Sequence, residues 1–257
     1  MTGYTGAVSL ALSSEQRARY ARDGFLVLPG LLSSAEAAQL GTWTDELTAW
    51  PEVPGRHMVY WEPHRTEPGR RVRNRIENFD PYHDGFRRLF AGRLADVAAA
   101  LLGGPVALFK DKINFKMPGG TGFEPHQDQQ AGWSVFAPLF LTALVSIDDA
   151  TVENGCLELA AGQHRPGLVG AEWKQLDEAE TAGMRFEVCP TRPGDAVFFD
   201  SYVPHRSAPN ATDTPRRVLY VTYNRAADGD HRLRYFAEKR RAYPPDCERE
   251  PGREYVY

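Results

Sequence analysis

The chain has two textures, each with its own hydrophobic period. In the first third, apolar positions follow helical spacing. Ser13-x-x-Gln16 and Ser33-x-x-Glu36 have the form of a capping box, in which the first and fourth residues satisfy each other's backbone N–H groups, so each predicts a helix start. The second of these helices should run to about Trp50, where Pro51 removes a donor and stops it. Between the two, Phe25-Leu26-Val27-Leu28 reads as a short strand ended by Pro29-Gly30. A further helix is expected over Phe86 to Leu102, with Phe86, Leu89, Phe90, Leu94, Val97, Ala98 and Leu101 on one face and Gly103-Gly104 as its stop.

From Pro105 the pattern changes to short apolar or alternating runs: Val106 to Met117, Phe140 to Ile147, Cys156 to Ala160, Met184 to Val188, Ala196 to Phe199 and Val218 to Tyr223. Turns such as Pro118-Gly119-Gly120, Glu153-Asn154-Gly155 and Pro193-Gly194-Asp195 separate them. Many short strands with this punctuation predict an antiparallel sandwich or jelly roll. Pro51 to His83 fits neither texture, being rich in Pro, Arg and aromatic residues. So long a connection is seldom idle. It is expected to hold one strand, Arg71 to Glu77, and to cover the mouth of a pocket.

A length of 257 residues suits one domain with a large core. The expected layout is a β core over about 105–225, preceded by helices and a lid over about 13–104. Net charge is −4, which leaves no electrostatic footprint for nucleic acid or an anionic membrane. The longest apolar run, about Val135 to Ile147, is broken by Pro138 and too short to span a bilayer. Met1 to Leu12 lacks the basic region of a secretory leader, and Cys156, Cys189 and Cys247 are widely spaced without CxxC pairing. Together these predict a soluble cytoplasmic protein with reduced thiols.

The chemistry concentrates in His126-x-Asp128, His205 and Arg216. On an extended segment, side chains two apart share a face, so His126 and Asp128 can present an imidazole and a carboxylate together. A second imidazole from His205 would complete two His and one carboxylate on one side of a metal, the facial triad of non-haem Fe(II) oxygenases. A bidentate 2-oxo acid commonly supplies the electrons such iron needs to activate O2. Its far carboxylate wants a forked cation, which Arg216 offers. Adjacent strand residues face opposite ways, so Arg216 and Arg217 compete for that place.

The chain resembles the phytanoyl-CoA dioxygenase family of Fe(II)/2-oxoglutarate-dependent oxygenases along almost its whole length. The resemblance runs through Asp23-Gly24-Phe25-Leu26-Val27-Leu28-Pro29-Gly30, His126-x-Asp128, Asn154-Gly155-Cys156-Leu157, Gly162-Gln163-His164, Pro193-Gly194-Asp195 and His205-x10-Arg216. It implies a mainly β fold with flanking helices, a double-stranded β-helix of the cupin-like jelly-roll type. By the same resemblance His126, Asp128 and His205 bind Fe(II). Arg216 and Ser207 hold the distal carboxylate of 2-oxoglutarate, with Asn114 and Lys112 as candidates for its other end and Trp133 near the cosubstrate. Because halogenating relatives lack the carboxylate present here as Asp128, hydroxylation is the implied outcome.

Within the family, the stretches Phe109-Lys110-Asp111-Lys112-Ile113-Asn114, Asp128-Gln129-Gln130-Ala131-Gly132-Trp133 and Pro244 to Gly252 resemble the branch acting on small aminophosphonates and their trimethylammonium analogues. A tailoring oxygenase of an antibiotic pathway, catalysing hydroxylation, epimerisation, desaturation or ring closure, is the alternative. A non-catalytic cupin-like metal-binding protein is a further one, against which Arg216 and Ser207 argue. Tyr60, Trp61, Trp133 and Tyr202 are candidates for an aromatic cage around a quaternary ammonium. Arg71, Arg73 and Arg75, on alternate positions of one strand, are candidates to grip an anion.

Overall fold

Both capping boxes form, and they set the first two helices. The computed structural model describes residues 12–255, so the opening stretch read for a leader lies outside it except for Leu12. Helix α1 (Ser14–Asp23) starts at the Ser13–Gln16 box and ends at Gly24, whose φ of 81° is the left-handed cap. Strand β1 (Phe25–Leu28) follows, then α2 (Ser34–Ala49) from the Ser33–Glu36 box, burying Ala37, Leu40 and Leu47.

The segment before the β core departs from expectation in two ways. First, Pro51 to His83 holds two strands rather than one, β2 (Met58–Pro63) and β3 (Arg71–Glu77), which pair antiparallel and extend a sheet. Pro63 and the unbroken Met58-Val59-Tyr60-Trp61 run hide the alternation of β2 in the sequence. Second, the helix expected over Phe86 to Leu102 is broken into α3 (Asp84–Leu89), a π turn over Phe90–Leu94 and α4 (Ala95–Leu102). Gly92 breaks it, with non-helical φ −103° and ψ −118°. The offset shifts the apolar face, so Leu102 is buried and Leu101 only partly so.

The expected strands after Pro105 all form: β4 (Val106–Lys116), β6 (Phe140–Ser146), β7 (Leu157–Ala160), β8 (Phe186–Cys189), β9 (Ala196–Asp200) and β11 (Arg216–Arg225). Two short ones are added, β5 (Phe123–His126) and β10 (His205–Ser207), and these carry the two histidines of interest. The strands make a seven-stranded sheet, in order β1-β9-β6-β11-β4-β3-β2, and a four-stranded sheet, β5-β10-β7-β8. The large sheet is covered on both faces. Ile113, Phe115, Leu141, Val145 and Leu219 pack with Leu40, Phe86 and Phe90 of the helices. Phe25, Leu144, Val197, Phe199 and Val218 pack against Leu157 and Leu159 of the small sheet. Covering on two sides explains why β6 is buried at every position instead of alternating. This is the double-stranded β-helix.

A fifth helix, α5 (Arg232–Ala242), lies beyond the core, and its hydrophobic period is masked by five basic residues. It sends Tyr235 and Phe236 onto Phe109, Trp133 and Phe140 at one end of the barrel. No helix among the described residues is long and apolar enough to cross a membrane, and all three cysteines are free.

Register brings polar side chains together on the inner face of the large sheet. Arg75 stands opposite Asn114, and Asn114 opposite Val218. One step along, Glu77 stands opposite Lys112 and Lys112 opposite Tyr220. Lys110, Lys112, Asn114 and Lys116 occupy alternate positions of β4, while Ile113 and Phe115 between them face the helices. An 11-residue strand with lysines on one face, and on the other Ile113 and Phe115 beside an Asp111 paired with Arg232, marks the wall of a site.

Candidate active site

His126 and His205 are direct partners across β5 and β10, with ring centroids 4.2 Å apart. Gln127 is still extended (φ −109°, ψ 138°), so the alternation that pairs His126 with Asp128 persists up to the 3-10 turn that Asp128 opens. One ligand atom from each of His126, Asp128 and His205 lies within 4.8 Å of the others. The Nδ1 of His126 meets the Glu124 carbonyl at 2.7 Å, and that of His205 meets the Val203 carbonyl at 2.9 Å. Donation to those carbonyls fixes the proton on Nδ1 and leaves both Nε2 lone pairs for a metal. Asp128 Oδ2 accepts from Thr142 Oγ1 at 3.0 Å, while Oδ1 sits 4.0 Å from His205 Nε2.

Electrostatics suits the same purpose. Desolvation, then His205, pushes the His126 imidazole down to about 3, and desolvation also lowers His205. Desolvation opposes ionisation of Asp128, but His205 and Lys112 hold its carboxyl below the ordinary range. Two neutral imidazoles and one carboxylate are the donor set that a divalent cation takes.

The two competing arginines separate by face. Arg217 donates to Asp148 at 2.8 Å and to Asp45 at 2.5 Å on the outer side. Arg216 is turned inward and only 3% exposed, and its Nε has no hydrogen-bond partner. Directly opposite it on β4 is Lys116, also buried. The Lys116 ammonium donates to Ser207 Oγ at 2.6 Å, to the Gly155 carbonyl at 3.2 Å and to the Ala208 carbonyl. Burial, then Arg216, pushes it down to about 7. A narrow recess runs from His126, Asp128 and His205 past Asn114 and Tyr220 to Ser207. The recess ends at Ser207, which the Lys116 ammonium touches, and the orphaned Arg216 Nε nearby is a buried donor that a carboxylate oxygen would satisfy.

A larger cavity of about 310 Å³ adjoins the recess and shares Lys112, Asn114, His126 and Asp128 with it. Arg75, Glu77, Lys110 and Lys112 form one wall, Trp133 another, and Trp173, Lys174 and Gln175 contribute from the loop between β7 and β8. Trp133 is 2% exposed, and its Nε1 has no acceptor.

Five expected substrate residues, Tyr60, Trp61, Tyr202, Arg71 and Arg73, do not line this cavity. Tyr60 lies behind it, its hydroxyl bonded to the Tyr243 carbonyl at 3.0 Å and its ring 4.4 Å from the Arg75 guanidinium. Trp61 bonds Glu52, and Tyr202 bonds the Pro138 carbonyl. Arg73 packs over Trp61 and Phe115 on the helix side of the sheet. The reason is a bulge: Tyr60 pairs with Arg75 but Trp61 with Arg73, leaving Asn74 as an extra residue that reverses the alternation. Arg71 pairs with Asp246, so of the three arginines only Arg75 reaches the cavity. The 51–77 segment is a wall, not a lid.

Sequence reasoning passed over Lys116, Lys110, Glu77 and Trp173. The polar alternation of β4 carried a signal for the two lysines. Nothing local marked Trp173, because a loop's place over a cavity is a tertiary fact.

The model of the family described as phytanoyl-CoA dioxygenase matches residues 20–218. The chain belongs to the phytanoyl-CoA dioxygenase family. It is 39% identical to a 2-aminoethylphosphonate dioxygenase from Uncultured bacterium HF130_AEPn_1, covering 95% of this chain and 93% of that one. It is 40% identical to a methylphosphonate hydroxylase from Gimesia maris, covering 92% and 90%. The crystal structure of EctD from S. alaskensis with 2-oxoglutarate and 5-hydroxyectoine superposes with a TM-score of 0.74, at 27% identity, over 87% of this chain and 79% of that one.

Proposed function

We propose that this protein is an Fe(II)/2-oxoglutarate-dependent dioxygenase that hydroxylates a C–H bond of a small phosphonate. His126, Asp128 and His205 hold the iron, and Arg216, Ser207 and Lys116 hold the far carboxylate of 2-oxoglutarate. When bound, iron with O2 and 2-oxoglutarate supplies the oxidising power: one oxygen atom becomes the new hydroxyl, the other ends in succinate, and CO2 leaves.

The chain's own residues bind, orient and shield. The Nδ1 bonds to Glu124 and Val203 keep both imidazoles aimed inward, and Thr142 fixes the Asp128 carboxylate. Asn114, Lys112 and Tyr220 line the recess between iron and the buried cations, where the keto-acid end of the cosubstrate would lie. Trp133, with an unpartnered indole N–H beside the cavity, offers a donor to substrate or cosubstrate oxygen.

The observation that carries the substrate class is the cationic wall of Arg75, Lys110 and Lys112 on the cavity that also holds His126 and Asp128. With Fe(II) added, Glu77, Glu124 and Asp128 leave that cavity net positive, which suits an anionic substrate beside a dianionic cosubstrate. Its 310 Å³ lies at the small end of ligand sites and favours a compact molecule over a large antibiotic intermediate. Two of the relatives act, by name, on small phosphonates. A metal-binding protein without turnover has no use for the buried Lys116–Arg216 pair. The free thiols Cys156, Cys189 and Cys247 support action in a reducing compartment.

The test is succinate formation with Fe(II) and 2-oxoglutarate across a panel of 2-aminoethylphosphonate, its trimethylammonium analogue, methylphosphonate, the matching carboxylates and neutral amino acids. Phosphonates should stimulate turnover strongly and carboxylates weakly. Stimulation by neutral amino acids alone would sink the phosphonate reading while leaving the oxygenase intact.

A further inference from the structure

One residue at the rim of the cavity is not explained by packing. Trp173 is 71% exposed and lies at φ +64°. A bulky side chain in that region is uncommon, because its Cβ crowds the following carbonyl, and it persists only where the surroundings hold it. Here they do. The Trp173 N–H donates to the Gln130 carbonyl at 2.6 Å and the Leu176 N–H to the Pro125 carbonyl at 2.8 Å. Gln130 Nε2 reaches the Ala171 carbonyl at 3.1 Å, and the Gln127 side chain spans the Gly167 carbonyl and the Val169 N–H, both at 2.8 Å. The loop is therefore stitched to 125–130, the segment that carries His126 and Asp128.

The indole also has a seat. A Cβ at Gly132 would come within 2.0 Å of Trp173 Cζ2, and Gly132 itself has φ +71°. The positive φ favours glycine there, and any Cβ would push the indole from its seat. A strained backbone, a glycine seat and a dedicated set of hydrogen bonds hold an aromatic ring largely in solvent, where it contributes little to folding. A molecule entering the cavity that the ring lines would bury it.

We propose that Trp173 determines substrate specificity by roofing the organic end of a phosphonate whose charged head rests on Arg75, Lys110 and Lys112. This rests on the function proposed above. An ammonium under the ring gains a cation–π contact, and the roof sheds water from the reacting end.

The experiment compares the wild type with Trp173→Phe and Trp173→Ala, using 2-aminoethylphosphonate as the probe. Without oxygen, but with Fe(II) and 2-oxoglutarate, the probe should shield one indole of the wild type from acrylamide quenching, and this response should vanish in Trp173→Phe. In turnover, Trp173→Ala should raise KM for the probe about tenfold, the worth of one cation–π contact, with Trp173→Phe between. KM for 2-oxoglutarate should stay level, and succinate should exceed hydroxylated product. An unchanged probe KM with tight coupling overturns the roof, as does an equal rise in both KM values, which marks a merely structural residue. Failure of the function itself looks different: the wild type then ignores the probe and responds to another panel compound. The same variants compared on that compound decide Trp173.

Discussion

Lys116 and Arg216 stand directly opposite one another on β4 and β11, two buried cations with no carboxylate ion-paired to either among the described residues. Burial first, and then the like charge of Arg216, drive the lysine down to about 7. An entering carboxylate reverses that penalty. The pair thus suits the anion-receiving role proposed for it better than a role in stability.

Arg216→Ala should weaken 2-oxoglutarate binding at least about a hundredfold, since removing one partner of a buried charge pair costs about 3–5 kcal/mol. Arg217→Ala loses only the partly exposed bridges to Asp148 and Asp45, and should lower stability by up to about 1 kcal/mol with the affinity kept. Anaerobic titration calorimetry measures both. The reverse order of effects would hand the role to Arg217.

The lysine gives the cosubstrate site a pH dependence whose sign is fixed. In the free protein Lys116 is protonated below about 7 and neutral above, whereas a bound carboxylate favours the ammonium. Binding therefore takes up a proton above about pH 7. Affinity for 2-oxoglutarate should be level below that point and fall, by up to about tenfold per pH unit, as pH rises from it. Lys116→Met should bind more weakly at pH 6 and show a flat profile. A wild-type affinity independent of pH between 6 and 9 would refute the linkage.

At the triad, alanine at His126, Asp128 or His205 should abolish turnover, and near-native activity in any of them would strike that residue from the set. Thr142→Val is the finer probe. Its hydroxyl donates to Asp128 Oδ2 and also meets Thr222 Oγ1 at 3.0 Å. Losing a partner that orients a metal ligand typically costs about 10–100-fold in metal affinity or activity. Competition with a chelator measures it, and Thr222→Val, one bond further away, should show the smaller effect.

Much of this architecture was legible in the sequence because local signals agreed with the fold. Ser13 and Ser33 announced their helices, Gly- and Pro-rich turns separated the strands, and the His126, Asp128 and His205 spacing announced the triad. What was not legible depends on tertiary facts. Gly92 broke an otherwise continuous helical period, and the basic residues of α5 hid its apolar stripe. The loop carrying Trp173 has no period of its own and owes its place to Gln127 and Gln130.

The same limit appears at Arg73 and Arg75, where simple alternation puts both on one face and the extra residue Asn74 separates them. Arg75 donates to Glu77 at 2.8 Å and lines the cavity, while Arg73 donates to the Thr48 carbonyl at 3.1 Å and covers Trp61. Arg75→Ala should therefore raise KM for a phosphonate while KM for 2-oxoglutarate holds, the loss of one charge-assisted contact being about 1.5–3 kcal/mol, or about 10–150-fold. Arg73→Ala should leave both constants alone and lower the melting temperature, because the aliphatic stem it removes packs on Trp61 and Phe115. Steady-state kinetics and thermal melts on the two variants separate the roles. If Arg73→Ala instead weakened phosphonate binding, the bulge would not divide the two faces and the cationic wall would need redrawing around Arg73.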